Sequence, residues 1–145
     1  MHYHIYCNTK HIHSNHTLAL EEFKKRLSAY CETTLHTSSV LQLPKEMNPD
    51  KHHFILIHRG HSTHTSEEWA TKINALQHSG KSTIHILIGY DETVLYDMVS
   101  NMHQYGLPTR LSLSNSSLSI DTTTLLFYEQ LYRGYTILQG KTYHK

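Results

Sequence analysis

The sequence has little cysteine, no excess of charge of one sign and no long apolar run. Two cysteines are too few for a disulfide framework. Lys and Arg number 13 against 12 Asp and Glu. This balance argues against nucleic-acid binding through a broad positively charged surface and allows only a local cationic patch. No stretch approaches the roughly 18 apolar residues of a membrane span, and no apolar signal region follows the N-terminus. We therefore expect a cytoplasmic protein without a membrane partner.

Glycine-rich phosphate loops and nucleophile motifs are also missing. Neither GxGxxG nor GxxxxGK followed by Ser or Thr occurs, so dinucleotide or P-loop nucleotide binding is unsupported. Cys7 falls in a predicted strand and Cys31 on the buried face of a predicted helix, positions where a small thiol is usually inert. Hydrolase chemistry through either thiol is therefore disfavoured.

Histidine is the residue in excess. The 15 histidines are scattered, often beside Thr and Ser, rather than gathered in one block. His58, His61 and His64 have a three-residue spacing that would suit zinc binding on a helix. The segment also contains Gly60 and several hydroxyl residues, which indicate a loop, and no carboxylate or thiolate completes a zinc motif. We expect no metal site, and a compositional bias is the simpler explanation.

Apolar residues alternate between strand-like and helix-like spacing along the whole chain. Strands are predicted at residues 3–7, 35–43, 54–57, 84–88 and 111–113, and helices at 18–31, 65–76, 95–102 and 121–135. Thr65 and Glu68 form a capping-box pattern at the second helix, and Asp121 is the predicted cap of the last. This alternation predicts one α/β domain over residues 1–145, with a mostly parallel sheet and helices on both faces.

Ligands of parallel sheets bind beyond the carboxyl ends of the strands. Here those ends are residues 58–60, 89–91 and 114–119. Gly89 follows Ile-Leu-Ile at a strand end, where a glycine lets a ligand approach the backbone closely. A lone glycine also starts ordinary turns, so this position alone does not identify a ligand.

Cations and aromatic rings are concentrated near the C-terminus. They are Arg133, Lys141, Lys145, Tyr132, Tyr135, Tyr143 and His144. Rings that stack on unpaired bases and cations that meet phosphates are typical of RNA binding. The same tyrosines could instead pack the last helix or cover a partner, and composition alone leaves both interpretations open.

Four segments, in order along the chain, carry a family resemblance. EQLYRGYTILQGKTYHK at residues 129–145 is close to a C-terminus of the form EQLYRA, a variable part and PYHK. EEFKKRLSAYCE at 21–32 is similar to a first helix, SEEWA at 66–70 to a SEEFA helix, and residues 86–89 to a strand that opens a cofactor loop. The chain thus resembles the large-subunit rRNA methyltransferase H family of the SPOUT class over most of its length.

The resemblance implies a homodimer with a deep C-terminal trefoil knot. Family members use S-adenosylmethionine to methylate N3 of a pseudouridine in large-subunit rRNA on the assembled ribosome, and the partner's tail helps complete the active site. No DNA partner is expected. The run Leu125, Leu126, Phe127 and Tyr128 agrees with a dimer, because one helical stripe cannot bury four successive large apolar residues.

Site residues follow by position from the resemblance. The cofactor pocket would involve Ile57, His58, Gly89, Tyr90, Ser114, Asn115, Ser116, Ser117, Leu118 and Ser119. RNA binding would involve Arg133, Lys141, Tyr143, His144 and Lys145. The catalytic residue is not identified, and the tail candidates for it are Arg133, Tyr143 and His144.

The chain departs from the family pattern at the pocket. Tyr90 stands where the family has a second glycine, and residues 113–120 read LSNSSLSI in place of LSxMTLPH. The family's next arginine falls at Thr124, the proline of PYHK falls at Thr142, and residues 43–53 are too few for the family's second helix. We expect the tyrosine to crowd the cofactor loop and the lost proline to loosen the next one.

These departures leave two functions open. One is an S-adenosylmethionine-dependent rRNA methyltransferase whose altered pocket binds the cofactor weakly. The other is a non-catalytic dimer that binds RNA, the ribosome or a protein through the inherited surface. Cofactor binding by the purified protein distinguishes the two.

Overall fold

Strands and helices alternate in the computed structural model, which describes residues 1–60 and 64–143. The strands are β1 (His2–Cys7), β2 (Glu32–Thr37), β3 (His52–His58), β4 (Thr83–Ile88) and β5 (Thr109–Ser112). The helices are α1 (Ser14–Leu27), α2 (Ser66–His78), α3 (Glu92–Met98) and α4 (Ile120–Leu138), and a 3-10 turn spans Met102–Tyr105. The predicted capping box begins α2, where the Thr65 N–H donates to Glu68 Oε2 at 2.8 Å and the Glu68 N–H donates to the Thr65 hydroxyl at 3.1 Å.

The five strands are parallel and form one sheet in the order β2-β1-β4-β3-β5. Strand β4 pairs with both β1 and β3, and its Ile88 is aligned with Cys7 on one side and Ile57 on the other. Five of its six residues are buried, as expected for a strand covered on both faces. The predicted α/β class is therefore confirmed, and the C-terminal ends of the strands lie at one end of the sheet.

Helices α1, α2 and α4 cover one face of the sheet, and α4 packs against both of the others. Phe127, Tyr128 and Leu131 of α4 are buried in this core, and burial of a side chain such as Phe127 or Leu131 is worth about 1.5–3 kcal/mol relative to exposure. Gly134 lets α4 approach α2 closely, because a Cβ at this position would lie 2.7 Å from Ile73 Cδ1.

Helix α3, the 3-10 turn and the segment 38–47 cover part of the opposite face. Leu95 of α3, Met102 and Tyr105 of the 3-10 turn and Leu41 of the segment are buried there in one cluster, together with Phe54 of β3. Helical elements therefore lie on both faces of the sheet, as predicted.

The structure corrects the predicted start and end of two elements. Strand β2 spans Glu32–Thr37 rather than 35–43, because its register follows β1 residue by residue, from His2 opposite Glu32 to Cys7 opposite Thr37. Helix α1 ends at Leu27, so Cys31 lies just before β2 and not on a helix. No helix occurs within residues 38–51, in line with the short segment noted in the sequence.

Two further boundaries differ near the C-terminal half. The predicted helix at 95–102 is divided into α3 and the 3-10 turn, because Val99 has an extended backbone. Helix α4 is capped by Ser119, whose hydroxyl accepts from the Thr122 N–H, rather than by Asp121. Asp121 lies in the first turn instead, where its carboxylate accepts from the His13 N–H at 2.7 Å.

Five histidines form a stacked layer across four strands, which we call the imidazole array (His2, His4, His36, His52 and His85). Ring centroids on neighbouring strands are 5.2, 5.5 and 5.1 Å apart, close to the strand spacing of about 4.8 Å. His4 Nδ1 lies 3.0 Å from His36 Nε2, and His52 Nδ1 lies 2.8 Å from His85 Nε2. Each of these hydrogen bonds needs one ring nitrogen without a proton, so a pair with both rings protonated loses its bond.

Burial makes the array sensitive to acid. Desolvation, followed by the coulombic effect of His52 and His4, lowers the pKa of His85 from 6.5 to about 3. Desolvation, followed by the coulombic effect of His2, lowers the pKa of His4 to about 4. The unfolded chain therefore binds more protons than the folded chain between these values and 6.5. The contribution of these histidines to stability is complete above pH 6.5, their pKa in the unfolded chain. It is lost as the pH falls through this window.

We predict that replacing His85 with Gln, which keeps hydrogen-bonding capacity but does not titrate, flattens the acid dependence of the unfolding free energy. The wild-type protein should lose stability on the order of a few kcal/mol between about pH 7 and pH 4. Urea titrations across this range measure the loss, and the exposed His103→Gln variant serves as the control. A His85→Gln profile parallel to that of the wild type would contradict the prediction.

Candidate functional site

A cleft of about 160 Å³ opens at the C-terminal ends of β3, β4 and β5, beside the first turn of α4. It is lined by Ile57, His58, Arg59, Ile88, Gly89, Leu113, Ser114, Ser116, Ser117, Leu118, Ile120 and Thr123. The three strand ends identified in the sequence therefore meet at one site. Seven of the ten residues proposed for the pocket line it, and the three that do not are Tyr90, Asn115 and Ser119.

Two of the loops around the cleft are tied to each other. The Gly60 N–H after β3 donates to the Ser114 carbonyl at 3.3 Å. The buried Ser112 hydroxyl at the end of β5 lies 3.1 Å from the carbonyl oxygens of both Gly60 and Ser114. The Ser114 hydroxyl then accepts from the Ser116 N–H at 2.9 Å, which tightens the turn that follows. Hydrogen bonds of backbone and serine groups thus stabilise the wall formed by the loops after β3 and β5, which lacks the proline of the family pattern.

Gly89 forms the wall of the cleft at the end of β4. Its φ of +84° is a conformation that other residues rarely adopt, and a Cβ here would lie 2.8 Å from Ile120 Cδ1 and 3.0 Å from Asn8 Cβ. Asn8 holds the turn, because its side-chain amide donates to the Gly89 carbonyl at 2.9 Å and its N–H to the Ile88 carbonyl at 3.0 Å. Sequence reasoning missed Asn8, although it directly follows β1, the neighbour of β4.

Tyr90 does not enter the cleft, so the expectation that its side chain crowds the cofactor loop is wrong. The phenol donates to the Ser38 carbonyl at 2.8 Å, and the ring packs against the apolar cluster on the opposite face of the sheet. Of the other two candidates outside the cleft, Ser119 is the cap of α4 and Asn115 is exposed.

The lining of the cleft combines apolar side chains, hydroxyl groups, an imidazole and one cation, Arg59. Five residues that line it were not among the ten proposed for the pocket, namely Arg59, Ile88, Leu113, Ile120 and Thr123, although Arg59 lies within the strand end at 58–60. Ile88 and Leu113 are the last residues of predicted strands, so their position at the strand ends could have indicated them. Among the described residues no acidic side chain lines the cleft. The site therefore suits a ligand with an apolar ring, sugar-like hydroxyls or anionic groups.

The described tail candidates, Arg133, Lys141 and Tyr143, lie far from the cleft of their own chain. Helix α4 begins at the cleft with Ile120 and runs for 19 residues, a length of about 28 Å at 1.5 Å per residue. Near its other end the Tyr135 hydroxyl is 3.0 Å from that of Tyr3 in β1. Lys141 Nζ donates to the Tyr30 hydroxyl at 3.1 Å, just before β2. The tail therefore lies at the N-terminal end of the sheet.

Cations and rings do meet in this tail, as the sequence indicated. Arg133 Nε donates to Glu129 Oε1 at 3.0 Å, and its guanidinium lies 5.0 Å from the centroid of the Tyr143 ring. The Lys141 ammonium lies 5.2 Å from the centroid of the Tyr30 ring. Arg133 is thus largely engaged within its helix, whereas Lys141 is exposed. His144 and Lys145 lie outside the described residues.

Other features of the sequence have a plain structural account. Burial raises the pKa of the Cys7 thiol to about 11 and that of Cys31 to about 12, so both thiols are unreactive in this structure. Of the proposed histidine triplet, His58 lines the cleft and His61 lies outside the described residues. In residues 1–60 and 64–143 no three metal-ligating side chains converge, and no helix there is long and apolar enough to cross a membrane.

The apolar run at the start of α4 is largely covered within the subunit. Phe127 and Tyr128 are fully buried, and Leu125 packs partly against the same core. Leu126 is half-buried and does not belong to that core. The run therefore gives weaker support to a second covering surface than its composition suggested.

A family model described as "Predicted SPOUT methyltransferase" matches residues 1–144, and the chain therefore belongs to the SPOUT methyltransferase family. It is 32% identical over 146 residues to "Ribosomal RNA large subunit methyltransferase H 1" of Thermoanaerobacter sp. (strain X514), with 100% of both chains covered. It is 30% identical over 146 residues to ribosomal RNA large subunit methyltransferase H of Acetivibrio thermocellus, covering 87% of this chain and 88% of that relative. The family resemblance carried by the four sequence segments is confirmed.

Proposed function

We propose that this chain is an S-adenosylmethionine-dependent rRNA methyltransferase that modifies N3 of a pseudouridine in the large ribosomal subunit, acting in the cytoplasm as a knotted homodimer. The observation that carries the proposal is the cleft at the ends of β3, β4 and β5, built around the backbone of Gly89. The proposal is supported by relatives that carry the name of ribosomal RNA large subunit methyltransferases and cover 87% to 100% of this chain.

The residues of the cleft fit the nucleoside part of the cofactor. Ile57, Ile88 and Leu118 would pack on the adenine ring, and the hydroxyls of Ser114 and Ser116 would bond to the ribose. The volume of about 160 Å³ is smaller than the roughly 300 Å³ at which ligand pockets usually begin. We therefore expect weak binding by one chain, with walls from a second copy completing the site.

The bound cofactor supplies an electrophilic methyl group. The chain's own residues must hold the target base beside it, exclude water and accept the proton that leaves N3. His58 is one candidate acceptor, because its Nδ1 bonds to the Arg59 carbonyl at 2.9 Å, which leaves a lone pair on Nε2 of the neutral ring. The exposed Arg59 guanidinium would hold an RNA phosphate at the mouth of the cleft.

The position of the tail supports a dimeric active site. Arg133 lies 13 residues after Ile120, about 20 Å along α4 from the cleft, and the Tyr143 ring packs beside it, 5.1 Å from that of Tyr132. Lys141 lies further along the chain, against Tyr30. Tail residues that take part in catalysis must therefore come from a second copy. In a dimer in which the tail of each copy faces the cleft of the other, the cleft and the tail residues would meet at one site.

We predict that the purified protein is a dimer at micromolar concentration. Light scattering measures the mass directly, and 16.9 kDa is the value for one chain. The half-buried Leu126 and the incomplete cleft are the surfaces that the partner would cover. A monomeric mass at this concentration would argue against the dimer and against tail-assisted catalysis.

We predict weak but measurable binding of S-adenosylmethionine by calorimetry, and its loss in the Gly89→Val variant. Valine is strained at φ +84°, and its Cβ would lie 2.8 Å from Ile120 in the cleft wall. Gly80→Val is the matched control, because Gly80 has φ +83° with nothing within 4 Å, and it should bind as the wild type does. No heat at millimolar cofactor, with a dimer that still binds RNA or ribosomes, would establish the non-catalytic function instead.

We predict that RNA binding runs through the tail. Because Lys141 is exposed and Arg133 is held by Glu129, Lys141→Ala alone should weaken binding, and adding Arg133→Ala should weaken it further. Removal of one cation that binds a phosphate should reduce the slope of log K against log salt by about 0.7 for single-stranded RNA. Lys45→Ala, an exposed lysine in the 38–47 segment, is the control. If the double variant binds RNA with unchanged affinity and an unchanged salt slope, the role of the tail is purely structural.

A further inference from the structure

We propose that Tyr90 is a positioning residue of the cofactor cleft, whose phenol ties the Gly89 turn to the backbone of Ser38 and so presets one cleft wall. The inference rests on the proposed function, because it assigns a role toward the same cofactor. It concerns the position at which a tyrosine replaces the second glycine of the family pattern. Tyr90 itself does not line the cleft, so its effect must pass through its neighbour Gly89.

The turn after β4 is held from two sides. On one side, the Asn8 amide donates to the Gly89 carbonyl at 2.9 Å, and Asn8 directly follows β1. On the other side, the Tyr90 hydroxyl donates to the Ser38 carbonyl at 2.8 Å, and Ser38 follows β2. The two bonds therefore join the turn to the ends of two other strands, β1 and β2.

The acceptor of the phenol is itself fixed. The Ser38 N–H donates to the Cys7 carbonyl at the end of β1, with an N···O distance of 3.3 Å. Tyr90 therefore connects the end of β4 to the paired ends of β1 and β2, rather than to a free loop. Desolvation by partial burial raises the pKa of Tyr90, so the phenol stays protonated and able to donate.

The residue after Tyr90 extends the restraint into α3. Asp91 caps this helix, because its carboxylate accepts from the Thr93 N–H at 3.1 Å. Gly89, Tyr90 and Asp91 thus each have a separate anchor, through Asn8, Ser38 and Thr93 respectively. A glycine at position 90 has no side chain and could not form the bond to Ser38.

A preset turn benefits binding through entropy. The backbone of a turn with adjacent glycines must be ordered when a ligand binds, and that ordering reduces affinity. The tyrosine supplies the ordering in advance, while Gly89 keeps the backbone bare on the side that faces the cleft. The departure at position 90 is thus compatible with a working pocket and stabilises its wall.

The test removes one oxygen atom. Tyr90→Phe keeps the ring in its apolar cluster and deletes the bond to Ser38, and Tyr96→Phe is the control, because Tyr96 lies on α3 with 47% of its surface exposed. Calorimetric titration of the purified protein with S-adenosylmethionine should give roughly threefold to tenfold weaker binding for Tyr90→Phe, the loss expected for one partly buried hydrogen bond. Tyr96→Phe should bind as the wild type does.

Hydrogen exchange without cofactor separates failure of this inference from failure of the proposed function. In Tyr90→Phe the peptide covering residues 88–92 should exchange faster, whereas a peptide within β3 should be unchanged. Faster exchange in a protein whose wild type binds no cofactor supports the tether and overturns the methyltransferase function. Unchanged exchange, or faster exchange with unaltered cofactor affinity, overturns the role proposed for Tyr90.

Discussion

The parallel pairing of β4 with β1 and β3 is the constraint on which the rest of the structure depends. Because parallel strands all finish at the same end of a sheet, each connection must return along a face before the next strand begins. The register then sets Ile57 beside Ile88, so that residues at the ends of both strands line one cleft. The cleft is a product of topology, which is why it survives the loss of individual motif residues around it.

The same constraint separates the two halves of the proposed active site. Helix α4 must pack back along the sheet to bury Phe127 and Tyr128, and it therefore carries the tail from the cleft to the opposite end. A long rigid helix cannot bring both ends to one place. If the cleft and the tail cooperate as proposed, they can do so only between two chains, in which each copy supplies what the other cannot reach.

Changes from the family pattern are absorbed by hydrogen bonds between side chains and the backbone. Tyr90 is directed to the other face of the sheet, where its phenol bonds to Ser38, and serines bonded to backbone groups replace a rigid proline at the next loop. The scattered histidines follow a similar course, since five of them stack into one array rather than converge on a metal. We therefore expect the bias in composition to affect how stability depends on pH more directly than it affects the cleft.

The sequence by itself determined the features that depend on neighbours a few residues apart: the strand–helix alternation, the capping box at Thr65 and the parallel α/β class. Its segments also indicated the family. Tertiary structure alone decided the register that limits β2 to Glu32–Thr37, the direction of Tyr90 and the pairing of His52 with His85. Each of these depends on groups far apart in the chain or on a whole strand alignment, so no local pattern could have revealed it.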